Sequence, residues 1–208
     1  MDIILVRHGS TAPNERGVLL GQGNDPGLTD AGREQATAVA HALAGVTPLM
    51  IWSSPLRRCL ETAGAIAAAH DALPPTAVEP RLAEIDYGEW EGVPLADLPA
   101  EAMRTWRRDP AFRPPGGESL AEVTARVGEW CDEQTGDGTI IAVTHVSPIK
   151  AAVIWALDGS PTMAWRLHVG VASITTVAAR DGAPPAVLGF NERAHLRSNG
   201  SPSTPPTH

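Results

Sequence analysis

Two histidines occupy matching places in the chain, each one residue beyond a short apolar run. Residues 3–6 lead into Arg7 and His8, and residues 140–143 lead in the same way to His145. An imidazole can act as a nucleophile or exchange a proton near neutral pH, and a guanidinium is a good partner for an anion. One histidine after a strand is more often an ordinary hydrogen-bonded neighbour. Two of them, one beside an arginine, suggest a shared site.

The segments that must position these histidines alternate between strand and helix patterns. The two apolar runs and residues 49–54 are short and rich in β-branched residues, as in parallel strands covered on both faces. Helices are predicted after Thr29, the expected N-cap, as far as Gly45, over 56 to about 70, over 119–133 with Ser119 or a neighbour as the cap, and over 147–157. Residues 174–179 and 186–190 are predicted late strands, with an antiparallel arrangement left open.

This alternation predicts an α/β fold with three layers: a mostly parallel central sheet with helices on both faces. If the two histidine-bearing strands are parallel, His8 and His145 lie at the same carboxyl edge, where ligands of such sheets bind. The helix that starts near Ser147 would point its N-terminal amides at this edge, which favours an anion.

One domain over 1–197 is predicted, with two segments outside the regular pattern. Residues 92–117 contain prolines 94, 99, 110, 114 and 115 and predict an inserted, lid-like helical excursion. Residues 198–208 form a polar, proline-rich stretch that is predicted to be a disordered tail.

Composition narrows the class of protein. The net charge of -8 argues against a broad nucleic-acid or anionic-membrane surface. Two cysteines cannot form a disulfide framework, no apolar stretch approaches a membrane span, and the N-terminus lacks the pattern of a secretory signal. We therefore expect a cytoplasmic protein. The sequence lacks Cys-x5-Arg of the cysteine phosphatases, Gly-Lys-Ser/Thr of the P-loop enzymes and Gly-x-Ser-x-Gly of the serine hydrolases. It also lacks His-Glu-x-x-His and Cys-x-x-Cys, two common zinc-binding motifs.

Six segments in order resemble the histidine phosphatase superfamily, which has the phosphoglycerate mutase-like fold. They are LVRHGSTAPN (5–14), DPGLTDAGREQA (25–36), SSPLRRCLETA (53–63), LAEIDYGEWEG (82–92), PGGES (115–119) and VTHVSPIK (143–150). The Arg-His-Gly tripeptide alone would arise often by chance, whereas the ordered set would not. The resemblance covers residues 1 to about 190.

The resemblance implies phosphoryl transfer to His8 and then to water. One ring nitrogen of His8 must be unprotonated to reach phosphorus, so the other should donate to a backbone carbonyl. Three positive groups are expected to hold the peripheral phosphate oxygens: Arg7, Arg58 and a protonated His145. Arg58 is chosen over its neighbour Arg57 by the family register, because only one of two adjacent helical residues can face the site.

The remaining site residues are also carried over from the family. Glu84 matches the acid that protonates the leaving oxygen and then serves as base for water, which implies an acidic to neutral pH optimum. Thr11 and Asn14 would add neutral contacts to the phosphate, although turn residues are the simpler interpretation. Val146 replaces the family's usual glycine. Its backbone N–H could still contact phosphate while its side chain narrows the pocket.

These features predict a hydrolase that cleaves a small phosphomonoester without metal or other cofactor, since arginines supply the charge. The enzyme class that we predict is a histidine acid phosphatase-type phosphomonoesterase. A phosphoglycerate mutase is one alternative, disfavoured by the short excursion, and a non-catalytic phosphate-binding protein is another. The last block resembles acid phosphatases and α-ribazole phosphatase-like members, so α-ribazole phosphate is a named candidate substrate. The excursion offers aromatics and arginines for substrate contact, although Trp106 is expected to pack inward. The sequence does not decide between a monomer and a homodimer.

Overall fold

A computed structural model describes residues 1–70, 76–180 and 182–196. Its strands are β1 (Asp2–Arg7), β2 (Ile51–Ser53), β3 (Ala77–Val78), β4 (Thr139–Thr144), β5 (Ile174–Arg180) and β6 (Ala183–Glu192). Within the described residues these form one sheet in the order β3-β2-β4-β1-β5-β6. The first four in this order pair in parallel, and β5 and β6 are antiparallel. The mostly parallel sheet is therefore confirmed, and the late strands are antiparallel.

Helices flank this sheet. The α-helices are α1 (Ala12–Glu15), α2 (Asp30–Leu43), α3 (Arg57–Ala68), α4 (Ala100–Arg108), α5 (Leu120–Asp132) and α6 (Val146–Ala156). Short 3-10 helices cover Pro80–Leu82, Gly88–Trp90, Leu95–Asp97, Pro161–Arg166 and Ala194–Leu196. Both predicted caps are confirmed: the Thr29 side chain accepts from Gly32 N–H, and Ser119 forms a capping box with Glu122.

The three layers follow from alternation along β1. Ile3 and Leu5 point to one face and pack in the core that contains α5 and α6. Ile4 and Val6 point to the other face and pack in the core that contains α2 and α3. A strand buried on both faces reads as a continuous apolar run, which is why residues 3–6 lack polar positions.

Several predicted boundaries are corrected. The predicted strand 49–54 is only three residues long, although Leu49 N–H still donates to the Thr139 carbonyl beside β4. The predicted strand 186–190 extends to Ala183–Glu192 because it forms a long hairpin with β5. The predicted helix 147–157 begins at Val146 and ends at Ala156, and the helix from 56 is Arg57–Ala68. The predicted tail, 198–208, lies outside the described residues.

The excursion, residues 92–117, is helical as predicted, with Leu95–Asp97 and α4. Trp106 on α4 is buried and packs against the rings of Tyr87, Trp90 and Trp165. Phe112 packs against Trp90, and we call these five rings the aromatic cluster. The excursion is thereby fastened over the α5–α6 side of the sheet. In the part of the chain described, no helix is both long and apolar enough to cross a membrane.

Candidate active site

Strand register brings the two histidines together. Val6 pairs with Val143 across the parallel ladder, so the next-but-one residue on each strand reaches the same level. His8 N–H donates to the Thr144 carbonyl, and the rings of His8 and His145 have centroids 5.0 Å apart at 61°. The two histidines therefore lie together at the carboxyl edge, as expected, and their roles in a shared site stay a prediction.

The ring of His8 is held in the form that a nucleophile requires. Its Nδ1 lies 2.7 Å from the carbonyl oxygen of Gly9. A carbonyl can only accept, so Nδ1 carries the hydrogen and Nε2 keeps its lone pair. Burial lowers the pKa of His8 well below 6.5, and the charges of Arg7 and Arg58 lower it further. The contact with Gly9 favours the predicted tautomer.

His145 corrects the prediction of a protonated ring. The Nε–H of Arg58 donates to His145 Nδ1 at 3.3 Å, so Nδ1 acts as an acceptor and the ring is neutral. Its Nε2 lies 2.8 Å from Ser54 Oγ. Burial lowers the pKa of His145 well below 6.5, and His8 and Arg58 add to this effect. Positive charge at this edge of the sheet therefore comes from Arg7 and Arg58.

Arg58 is fully buried and is held by main-chain oxygens. Its Nη2 donates to the Gly21 carbonyl at 2.8 Å, and its Nη1 lies 3.6 Å from an Asp25 carboxylate oxygen. By contrast, Arg57 is mostly exposed and pairs with Glu61 at 2.6 Å. Of the two neighbours, Arg58 is therefore the one whose side chain points inward, as predicted.

Arg7 ends β1 directly before His8 and contributes a second guanidinium near the two histidines. Its Nη1 donates to the Val169 carbonyl at 2.7 Å, whereas its buried Nε has no partner among the described residues. Leaving a buried donor unpaired costs about 1–3 kcal/mol, which a phosphate oxygen would recover. Burial lowers the pKa of Arg7 to about 10, with Glu84 opposing the shift, so the group stays charged at neutral pH.

Glu84 occupies the place that was predicted for the substrate anion at the start of α6. Its carboxylate accepts from three backbone N–H groups: Ile85 at 2.8 Å, Ser147 at 3.1 Å and Val146 at 3.2 Å. The amides of this helix therefore hold a side chain of the protein and do not cradle phosphate. The Val146 N–H is accordingly not free for a phosphate contact, but its side chain lines the adjoining pocket as expected.

Thr11 and Asn14 are coupled to each other. Both the N–H and the hydroxyl of Thr11 donate to Asn14 Oδ1, at 3.2 and 2.8 Å. This pairing uses the amide oxygen and leaves the Nδ2 donor of Asn14 to face elsewhere. The direct observation is that Thr11 orients Asn14, and a contact from either residue to phosphate stays a prediction.

The histidine phosphatase superfamily (branch 1) matches residues 3–192 of the chain. The chain belongs to this superfamily.

Relatives of the chain include mycobacterial proteins. It is 36% identical over 203 residues to the bifunctional protein Rv2228c of Mycobacterium tuberculosis, covering 93% of this chain and 54% of that protein. It is 36% identical over 188 residues to the glucosyl-3-phosphoglycerate phosphatase of Mycolicibacterium vanbaalenii, covering 84% and 82%. The chain thus spans about half the length of the first of these relatives.

Among solved structures, the fold matches Entamoeba histolytica phosphoserine phosphatase in complex with 3-phosphoglyceric acid. The TM-score is 0.85 at 31% identity, with 94% of this chain and 99% of that chain covered. The phosphoglycerate mutase-like fold that the sequence implied is therefore confirmed.

Several other residues of the six segments have structural roles that the sequence analysis missed. A Cβ on Gly9 would lie 2.3 Å from the Gly32 carbonyl oxygen, so the loop after His8 can touch α2 only through glycine. Gln35 accepts from Ser10 N–H at 2.8 Å and fixes the same loop. The signal was present in the sequence, because both Gly32 and Gln35 lie in the second block.

A second missed residue, Glu91, builds the loop that holds Arg58. Its carboxylate accepts from the N–H groups of Gly21, Gly23 and Asn24 at 2.8–3.1 Å. The Gly21 carbonyl then points at the guanidinium of Arg58. In the described residues, no group of three or more His, Cys, Asp or Glu side chains is placed to hold a metal ion.

Proposed function

We propose that this protein is a phosphomonoester hydrolase that acts through a phosphohistidine at His8. The observation that carries the proposal is the free Nε2 lone pair of His8, fixed by Gly9 and placed 5.0 Å, ring to ring, from His145. The names of its relatives, which include glucosyl-3-phosphoglycerate phosphatase and phosphoserine phosphatase, support a small phosphorylated metabolite as substrate.

In the first step, His8 Nε2 attacks phosphorus while the bond from phosphorus to the ester oxygen breaks. Arg7 Nε and the Arg58 guanidinium hold the peripheral oxygens, whose shared negative charge is what the site must stabilise. The carboxyl group of Glu84 gives its proton to the leaving alkoxide, so the alcohol departs neutral. The products of this step are the alcohol, phospho-His8 and ionised Glu84.

In the second step, water replaces the alcohol. Ionised Glu84 takes a proton from that water as its oxygen bonds to phosphorus and the bond to His8 Nε2 breaks. Inorganic phosphate leaves, and both His8 and Glu84 return to their starting protonation states. The three amides at Glu84 keep its carboxylate at one position for both proton transfers.

The alternatives fare less well. The phosphatases named above as relatives favour hydrolysis over the mutase alternative, and the excursion of residues 92–117 is short. A non-catalytic role does not account for the complete set of His8, Arg58 and Glu84 in one buried site. An acid phosphatase-type pH profile is favoured because burial keeps His8 unprotonated below neutral pH. α-Ribazole phosphate stays a candidate substrate.

We also place the domain over residues 1–197 and the protein in the cytoplasm. Both cysteines, Cys59 and Cys131, are free and buried, as befits a reducing compartment. The expected partner is a small phosphomonoester, with nucleic acid and membrane surfaces disfavoured by the net charge of -8. A homodimer is an arrangement that sedimentation would test.

A trapping experiment tests the phosphohistidine. Brief mixing with ³²P-labelled substrate and acid-free quenching should leave an alkali-stable, acid-labile label on wild type and none on His8→Ala. His41→Ala, which alters an exposed histidine of α2, is the matched control and should label normally. Release of phosphate from p-nitrophenyl phosphate, with no isomerisation of 3-phosphoglycerate, separates a phosphatase from a mutase. Full turnover by His8→Ala would overturn the proposal.

A further inference from the structure

One cation near the candidate active site has no carboxylate partner in the part of the chain that the structure describes. Lys150, the single lysine of the chain, lies on α6. Among the described residues, no carboxylate lies within 4.0 Å of its ammonium group. Burial lowers its pKa to about 8, with Glu84 opposing and Arg7 assisting the shift. At neutral pH the group is therefore a largely buried positive charge.

Lys150 faces a pocket that adjoins the proton donor. The polar members of its lining are Lys150, Ser147 and Tyr87. The other members are apolar: Leu19, Leu95, Trp106, Leu120, Val146, Ala164 and Trp165. Ser147 and Val146 also donate their N–H groups to Glu84. Since Glu84 protonates the leaving oxygen, this pocket is the space that the leaving alcohol would occupy.

The arginines of the excursion do not supply a cation to this pocket. Arg104 pairs with Glu101 and Arg113 pairs with Glu122, both near the surface. Arg107 lies over a ring of Trp165, 5.7 Å from its centroid, and Arg108 is exposed. None of these four arginines lines the pocket, so the cation available to a second substrate anion there is Lys150.

We propose that Lys150 binds a carboxylate carried on the leaving alcohol, so that the substrates are carboxylated phosphomonoesters. This inference rests on the proposed phosphatase function. One ammonium, the Ser147 hydroxyl and the Tyr87 phenol, which burial keeps protonated by raising its pKa, match one negative charge. A second phosphate dianion would bring more charge into this apolar enclosure than one lysine can balance.

The test compares two substrates that differ at one group. 3-Phosphoglycerate carries a carboxylate where glycerol 3-phosphate carries a hydroxymethyl group. Wild type should prefer 3-phosphoglycerate in kcat/KM, and Lys150→Met should lower that preference about 10- to 100-fold, mainly through KM. Lys150→Arg should restore part of it. Arg104→Met, which removes an exposed cation of α4, is the matched control and should leave the preference unchanged.

Other outcomes would overturn the assignment. An unchanged preference in Lys150→Met, or no preference in a wild type that hydrolyses p-nitrophenyl phosphate, would show that Lys150 reads no carboxylate. A preference for 1,3-propanediol bisphosphate over both substrates, lost in Lys150→Met, would make the second anion a phosphate. Absence of any hydrolysis, including that of p-nitrophenyl phosphate, would instead refute the proposed function. Thermal unfolding of each variant verifies that it is folded.

Discussion

The floor of the active site and the aromatic cluster above it are built from opposite kinds of side chain. The floor buries two arginines, two imidazoles and a carboxylate at the edge of the sheet. The cluster buries Trp90 and Trp106 and packs the partly buried rings of Tyr87, Phe112 and Trp165 around them in edge-to-face and tilted contacts. Burying the first set costs free energy that a bound anion returns, whereas burying the second set stabilises the fold directly. The contrast shows that the residues proposed for the reaction lie in the floor, whereas the residues that stabilise the fold there lie in the aromatic cluster.

Glu84→Gln should show the largest effect, and it should be on rate. The amide has no proton to give, so kcat for alkyl phosphates should fall about 10²- to 10⁴-fold. An aryl phosphate, whose leaving group needs little protonation, should lose far less. Single-turnover kinetics on the two substrate types measures this. An equal loss for both would mean that Glu84 only shapes the floor.

Trp90→Ala should mainly lower the stability of the fold, whereas Glu84→Gln should mainly lower kcat. Trp90 packs at 5.5 Å from Trp106 and 5.7 Å from Phe112, centroid to centroid, and is almost fully buried. Removing the indole should lower the free energy of unfolding by about 3–5 kcal/mol. Urea unfolding measures the loss. A variant that unfolds like wild type would break the contrast between floor and cluster.

Arg58→Lys tests both layers at once. Lysine keeps the charge but cannot serve the Gly21 carbonyl, His145 and a phosphate together. We expect kcat/KM to fall about 10²- to 10³-fold. Arg57→Lys is the matched control one residue away on the exposed side, and it should be near wild type. Equal losses in the two variants would contradict the assignment of Arg58 to the pocket.

The contrast also explains what the sequence could predict. Residues 3–6 and 140–143 could be predicted as strands because a strand buried on both faces is a continuous apolar run. Each histidine follows its strand at the same distance in sequence, so the pairing of the two strands places His8 beside His145. Trp106 was expected to pack inward for similar reasons. The prediction that His145 is protonated was wrong. The ring is kept neutral by complete burial beside Arg58, and that burial arises only when the chain folds.

The same limit applies to Glu84 and Lys150. Sixty-two residues separate Glu84 from Val146, and no local pattern shows that the start of α6 is already occupied by a carboxylate. Lys150 is the single lysine of the sequence, but the sequence analysis looked to the aromatics and arginines of the excursion for substrate contact. Arg104 pairs with Glu101 within α4 and Arg113 pairs with Glu122 of α5, and composition alone could not distinguish these paired cations from an unpaired one.

The smallest expected effect is the contribution of the two floor histidines to the pH dependence of stability. His8 and His145 have pKa values well below 6.5 in the folded protein because they are buried among cations, whereas the unfolded chain protonates each near 6.5. Below pH 6.5 the unfolded state therefore binds more protons, so stability that is present above this pH is lost as the pH falls. Between pH 7.5 and 5.5 each histidine should cost about 1.4 kcal/mol of unfolding free energy. Urea titrations should show that loss reduced by this amount in His8→Gln but unchanged in Trp90→Ala, since an indole does not titrate. An identical pH dependence in His8→Gln and wild type would mean that the ring of His8 is protonated as easily in the folded pocket as in the unfolded chain.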